Sequence, residues 1–416
     1  MNLYALIILA ALLADFLLAG VAKGLNLRTL SKPLPDEFAG VFDPEAYARM
    51  QAYTREKTVF SLITAAFDLA VLLIFWFAGG FNWLDQLVRG WGWPPLVNGL
   101  LYIGLLMAAS GALSLPFTVY HTFVIEAKYG FNRTTVKTFI LDLVKGLVLA
   151  VVLGGPLLAG LLAFFQYAGA WAWFYAWVVT SGYSLLVSFV APTWIMPLFN
   201  KFTPLEEGEL RTAILTFTEK VRFPLRGVFV MDGSKRSTKS NAFFTGFGRN
   251  KRIVLLDTLI EKQTTVELVA VLAHEIGHYK KKHILIGMLI SIVHMGIMFF
   301  LLSLFIRVVE LHAAFRMEQL SLYAGLVFFG LLYSPVEMIL GPLTNGLSRR
   351  HEYQADHFAA VSGLGEAMIS ALKKLSRDNL SHLTPHPFYV WLTYSHPPVL
   401  ERIQHLRIFS QENTTS

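Results

Sequence analysis

His274-Glu275-Ile276-Gly277-His278 is the stretch with the most specific chemistry in this 416-residue chain. It follows the apolar run Val266 to Ala273, and Thr264-Thr265-Val266-Glu267 just ahead has the pattern of a capping box, so the spacing predicts a helix through the motif. On a helix, residues four apart point the same way one turn along, and the imidazoles of His274 and His278 can then share one Zn²⁺. Glu275, next to the first ligand, is placed to take a proton from an attacking water and pass it to the departing amine. Tetrahedral zinc with an open position needs a third protein ligand. The chain contains no Cys, which removes thiolate ligands, disulfides and cysteine nucleophiles and leaves His and carboxylates. The best candidate is Glu352 in Arg349-Arg350-His351-Glu352-Tyr353-Gln354-Ala355-Asp356. Asp356, four residues on, shares a helix side with Glu352 and suits a role orienting an imidazole N–H. His351 and His357 compete with Glu352 as ligands.

The composition says where such a site must sit. With 55% hydrophobic and 15% charged residues and a mean hydropathy of +0.52, the chain reads as a polytopic membrane protein. Seven apolar stretches are long enough to cross a bilayer: 3–22, 60–79, 95–119, 139–164, 170–196, 284–306 and 319–341. The first lacks the basic flank of a signal peptide and is kept as a helix. Gly154-Gly155-Pro156 interrupts the fourth, and Pro192 and Pro197 close the fifth. Of the 35 Lys and Arg residues, 31 fall on one side of this topology, in 23–58, 120–138, 197–283 and the tail from 342. That asymmetry predicts a cytosolic C-terminus and an N-terminus outside. The net charge of +7 is therefore mostly orientation, Lys280-Lys281-Lys282 is a topology anchor, and no compact basic stripe calls for nucleic acid.

The expected fold class is an all-α polytopic membrane protein of seven transmembrane helices with a cytosolic zinc metalloprotease domain containing a small β element. Four parts follow: a membrane region 1–199 with five helices, catalytic residues 200–283, helices six and seven in 284–341, and a second catalytic piece with the tail in 342–416. Gly227–Met231 and Arg252–Leu256 are rich in β-branched and aromatic residues and predict short strands, with Gly246-Phe247-Gly248-Arg249-Asn250 as a turn. A strand near Ser240 to Phe244, or the pair flanking Gly246, can present an edge to an extended peptide. Asp15, Asp68, Asp142, Lys145, His294 and Glu337 lie within apolar spans, where they either line a wet cavity or pair inside the bundle; Asp142 and Lys145, three apart, are suited to pair locally.

His274 to His278, the later Ser-Arg-Arg-His-Glu-Tyr-Gln-Ala-Asp, Ser240-Asn241-Ala242-Phe243, Ser395-His396-Pro397-Pro398 with Glu401-Arg402, and Tyr129-Gly130-Phe131-Asn132 together resemble the CAAX prenyl protease 1 family of integral-membrane zinc metalloproteases. The resemblance runs from about residue 126 to 405. It implies helices ringed around a water-filled intramembrane chamber, one Zn²⁺ per chain held by His274, His278 and Glu352, and Glu275 as general base. It further implies His396 as the oxyanion donor, Asn241 as a holder of substrate backbone, and Asp356 and Arg402 as supporting residues. From the residues alone His396 is equally a loop histidine and Asn241 a turn residue. The partners implied are the bilayer and a peptide or protein substrate, prenylated or not, acted on by a monomer.

Absence of a long lumenal insertion and of a basic C-terminal retrieval signal points to a bacterial inner membrane rather than the endoplasmic reticulum. In that setting a prenylated substrate is not expected. Two rival readings remain: a quality-control metalloprotease acting on unprenylated peptides, whose heat-shock-type relatives look like four-span chains, and a transporter or scaffold with structural zinc. The second lacks the repeated halves with broken helices usual in alternating-access transporters.

Overall fold

A computed structural model describes residues 1–245 and 251–412. The expected turn at 246–250 and the last four residues lie outside the described residues. Six helices are long and apolar enough to cross a membrane: Leu3–Ser31, Pro44–Phe77, Pro95–Glu126, Val136–Tyr167, Gly169–Leu198 and His283–Phe305. A seventh span is broken, with Leu322–Leu332 and the helix beginning at Ser334 bent by 49°. Pro335, in the first turn after the break, explains the bend, because a proline has no N–H to continue the preceding helix. Each predicted span thus has a counterpart. Gly154-Gly155-Pro156 does not end the fourth; the backbone passes it through a π-helical turn, Ala150–Gly154, and continues as Gly155–Tyr167. Local π adjustment re-satisfies the carbonyls that Pro156 leaves without a donor.

Several spans run well past the apolar stretches. The second starts at Pro44, where the Asp43 side chain caps the helix by accepting from the Ala46 N–H. Two short helices at the other membrane face, Gly80–Gly90 and Val309–Ala314, were not expected from hydropathy. They are tied down by a buried Asp85 carboxylate that accepts from Arg89, Ser321 and Tyr323, and by Trp76, whose indole N–H donates to the Ala314 carbonyl at 2.8 Å. The polar residues within the spans are partly bundle-paired. Asp142 does not pair with Lys145. Arg236, arriving from the catalytic part, forks onto both Asp142 oxygens at 2.7 and 2.9 Å, while Lys145 donates to the Leu198 carbonyl. A planar guanidinium matches a carboxylate bidentately and displaces the flexible local ammonium. His294 sits 3.3 Å from Glu337 and 2.9 Å from the Tyr333 hydroxyl.

The β element is a four-stranded sheet of β1 (Phe202–Pro204), β2 (Leu225–Met231), β3 (Ala242–Thr245) and β4 (Lys251–Leu256), in the order β1-β2-β4-β3. β2 and β4 are parallel, the outer pairs antiparallel, and β3 is an edge. Both predicted strands are there, each extended by one or two residues. Ile253, Leu255 and Val228 pack against Leu268, Leu272 and Ile276, so the sheet covers one face of the HExxH helix, Thr265–Lys280. Its other face meets a second core in which Ala270 and Val271 join Phe38, Met50, Leu372 and Ile403. A helix buried on both faces has little freedom to rotate, which sets the direction of its histidines.

Candidate metal centre and active site

The capping box at Thr264 is formed as the sequence predicts: the Glu267 carboxylate accepts from the Thr264 N–H at 2.8 Å, and the Thr264 hydroxyl accepts from the Glu267 N–H. Glu267 is also held by Ser370 and Lys374, so the cap locks the start of the motif helix onto a helix of the second catalytic piece. Three turns on, Gly277 lets the motif helix approach Ser334–Ala359 closely. A Cβ there would lie 2.9 Å from the Ala355 Cα. Backbone cannot yield as a side-chain tip does, so Gly277→Ala must separate the two helices, at about 1–3 kcal/mol. Loss of zinc affinity together with a lowered unfolding midpoint is the expected result, read by calorimetry in detergent; unchanged zinc affinity contradicts the close packing.

That approach delivers Glu352 to the histidines. His274 Nε2 and His278 Nε2 are 3.2 Å apart, and the Glu352 oxygens lie 3.4 Å from the first and 3.3 Å from the second. Zn–N and Zn–O bonds of about 2.0–2.1 Å at tetrahedral angles put ligand atoms roughly 3.3 Å apart, so the donor set fits zinc. Glu352 Oε2 is buried and has no hydrogen-bond partner among the described residues, which is also what a metal ligand requires. His351 and His357 do not join the group. The first stacks on His283, the second packs edge-on against Phe409.

Each imidazole is held from behind. The Asp356 carboxylate lies 2.9 Å from His274 Nδ1, which fixes that nitrogen as the N–H and leaves Nε2 with its lone pair. Arg402 in turn donates from Nε and Nη2 to Asp356 at 2.8 and 2.7 Å. His278 Nδ1 is 3.0 Å from His283 Nδ1, and His283 Nε2 is 2.8 Å from Gln354 Oε1. If His283 donates to the amide oxygen, its Nδ1 accepts from His278 and the second ligand also presents Nε2 as a base. Neither His283 nor Gln354 was singled out in the sequence. The only signal was a histidine directly after the lysine triplet, and nothing in spacing tells that Lys282, at φ +60°, ends one helix and turns His283 back toward it.

The carboxylates of the site favour a positive charge beside the histidines, for which a proton and a metal ion compete. Burial and Arg402 press the His274 imidazole down, but Asp356 and Glu352 outweigh them and raise it to about 9. Burial pushes the Glu275 carboxyl up, against the pull of His274 and His278. Burial opposes charge on Arg402, yet Asp356 and Glu352 keep its guanidinium firmly protonated. Asp356 is fully buried, so Arg402→Leu strands an uncompensated charge. The expected cost is about 3–5 kcal/mol, seen as a fall in denaturation midpoint. An unchanged midpoint contradicts this role.

His396 and Asn241 complete the surroundings. His396 Nε2 lies 3.4 Å from Glu352 Oε1, with Nδ1 against the Ser395 hydroxyl. Asn241 precedes β3, and its side chain accepts from the Ala242 N–H. Both open onto one cavity of about 1080 Å³ that Arg402 also lines. The Tyr129-Gly130-Phe131-Asn132 loop supports this wall: Thr238 N–H donates to the Phe131 carbonyl, and Phe131 packs on Tyr53. Contacts of 2.7–3.4 Å therefore join His274, His278, Glu352, Asp356, Arg402 and His396, Glu275 follows His274 on the motif helix, and Asn241 meets the group only through the cavity it lines with His396 and Arg402.

Residues 25–201 match the family model "CAAX prenyl protease N-terminal, five membrane helices", and residues 204–409 match "Peptidase family M48". A CAAX prenyl protease 1 homolog of Oryza sativa is 37% identical over 92% of this chain and 91% of its own length. The CAAX prenyl protease 1 of Saccharomyces cerevisiae is 35% identical (91% and 89%), and the homolog of Homo sapiens 33% identical (91% and 89%). The crystal structure of S. mikatae Ste24p superposes with a TM-score of 0.92 at 35% identity, covering 98% of this chain and 99% of that one. The fold, the metal-fitting triad of the two HExxH histidines and Glu352, and these likenesses agree: this multi-pass integral membrane protein belongs to the CAAX prenyl protease 1 family and is a metalloendopeptidase.

Proposed function

We propose that the chain binds one Zn²⁺ through His274, His278 and Glu352 and cuts peptides close to a prenylated C-terminus, with Glu275 as the general base. The observation that carries this is the donor triangle of 3.2–3.4 Å, backed by groups that direct Nε2 of both histidines inward. Zinc, when bound, supplies Lewis-acid activation of water and of the scissile carbonyl. Glu275 makes no hydrogen bond or ion pair among the described residues, so its carboxylate is available to accept a proton from water and return it to the leaving amine. His396 Nε2 is the donor for the developing oxyanion. The peptide adds as a strand along the open edge of β3, where backbone hydrogen bonds give affinity with little demand on sequence, and Asn241 holds its backbone at the strand's start.

Membrane parts 1–199 and 284–341 form the chamber wall, and 200–283 with 342–416 the catalytic part. The excess of Lys and Arg on one side supports a cytosolic site. Since every site residue comes from one chain, a monomer suffices for activity. The relatives' names speak for a prenylated substrate. Matched farnesylated and plain peptides, offered to purified zinc-loaded protein in detergent, test it. A much higher kcat/KM for the farnesylated peptide is expected; equal cleavage of the plain one would move the assignment to general membrane-protein proteolysis.

A further inference from the structure

The cavity beside His396 and Arg402 is basic: among the described residues neither Asp nor Glu contributes to its lining. Four cations face it. Two are neutralised from outside the wall, Lys239 by Glu126 at 2.6 Å and Arg402 by Asp356. The other two, Lys23 near the end of the first span and Lys57 on the second, form no ion pair among the described residues, and Lys57 rests only on the Tyr53 ring, 5.6 Å from its centroid. Glu126 attracts Lys57 from a distance but is already engaged by Lys239 and Tyr53, so the wall keeps an excess of positive charge, and an anion is the ligand that answers it. Lysines that merely anchor topology face headgroups; these two face the compartment that holds the candidate oxyanion donor.

We propose that Lys23 and Lys57 receive the free C-terminal carboxylate of the peptide being cut, so that the enzyme measures distance from the chain end. The proposal rests on the peptidase reading above. A cavity of about 1080 Å³, equal to a sphere roughly 13 Å across, accommodates a few extended residues, at ~3.3 Å each, between a scissile bond and a terminal carboxylate. The same positive wall suits a lipid phosphate or phosphoserine headgroup, which the test separates.

Two farnesylated peptides differing only in a free or amidated C-terminus are compared in phosphatidylcholine vesicles, with and without phosphatidylserine. For the wild type, KM for the amide is expected to be about tenfold above that for the acid, a typical discrimination for one charge-assisted contact. Lys57→Met and Lys23→Met should each bring that ratio toward one, and Lys57→Arg should keep it. Equal KM values in the wild type, a ratio that survives in both Met variants, or a KM shift that follows phosphatidylserine equally for the two peptides overturns the proposal. If neither peptide is cut, the peptidase reading fails instead. Binding of the two peptides by fluorescence anisotropy then decides the lysine site alone, tighter binding of the acid supporting it and equal binding overturning it.

Discussion

Glu275→Gln is expected to lower peptide hydrolysis by about 10²–10⁴-fold while one zinc per chain stays bound. The amide keeps the volume of the carboxyl and cannot accept the proton, so the loss falls on kcat. The carboxyl of Glu275 is well prepared for the task because burial raises its proton affinity toward the working pH, whereas neighbouring His274 and His278 keep the rise from going too far. Zinc should survive, since Glu275 belongs to none of the three donor separations. Metal analysis and single-turnover cleavage on the same sample check both halves. Hydrolysis retained in a zinc-loaded variant would overturn the assignment of the base.

The second large effect is loss of the metal itself in Glu352→Ala. Outer residues behind a metal ligand typically account for 10–100-fold in affinity, and removing a ligand should exceed about 100-fold. The deletion leaves two imidazole nitrogens facing each other at 3.2 Å, and it takes the carboxylate from Arg402 Nη1 at 3.6 Å. Activity should fall with zinc content and return only in part at high zinc concentration. Undiminished zinc binding by competition with a chromophoric chelator would shift the third ligand elsewhere, with His396, 3.4 Å from Glu352, next in line. The two variants read differently by design: one separates activity from metal, the other loses them together.

Where sequence periodicity carries physical information, the expectations hold. A span needs about twenty apolar residues, and all seven stretches correspond to helices or, for the last, to a bent pair. The capping box at Thr264 forms because its two partners are three residues apart and need no outside help. Expectations based on chain neighbours fail where a distant group competes. Asp142 and Lys145 are correctly spaced for a helical pair, but Arg236, 94 positions away, offers two parallel hydrogen bonds and wins. The short helices Gly80–Gly90 and Val309–Ala314 were missed for a similar reason, since contacts across the bundle hold them in place rather than a long apolar pattern.

Residue types and their spacing were enough to specify the membrane class, the apolar spans, the motif helix and the donor groups that His274, Glu275 and His278 offer, because each of these depends on neighbours within about one turn or on length alone. Only the tertiary structure decided that Glu352, and not His351, faces the two histidines. That choice depends on which side of Ser334–Ala359 packs against Gly277, a contact between residues 78 positions apart for Gly277 and Ala355. It also decided the His283–Gln354 support for His278 and that Lys23 and Lys57 face one cavity without an ion pair among the described residues, which follow from how the spans close around it. Spacing along a chain determines what a helix can offer; packing determines what it meets.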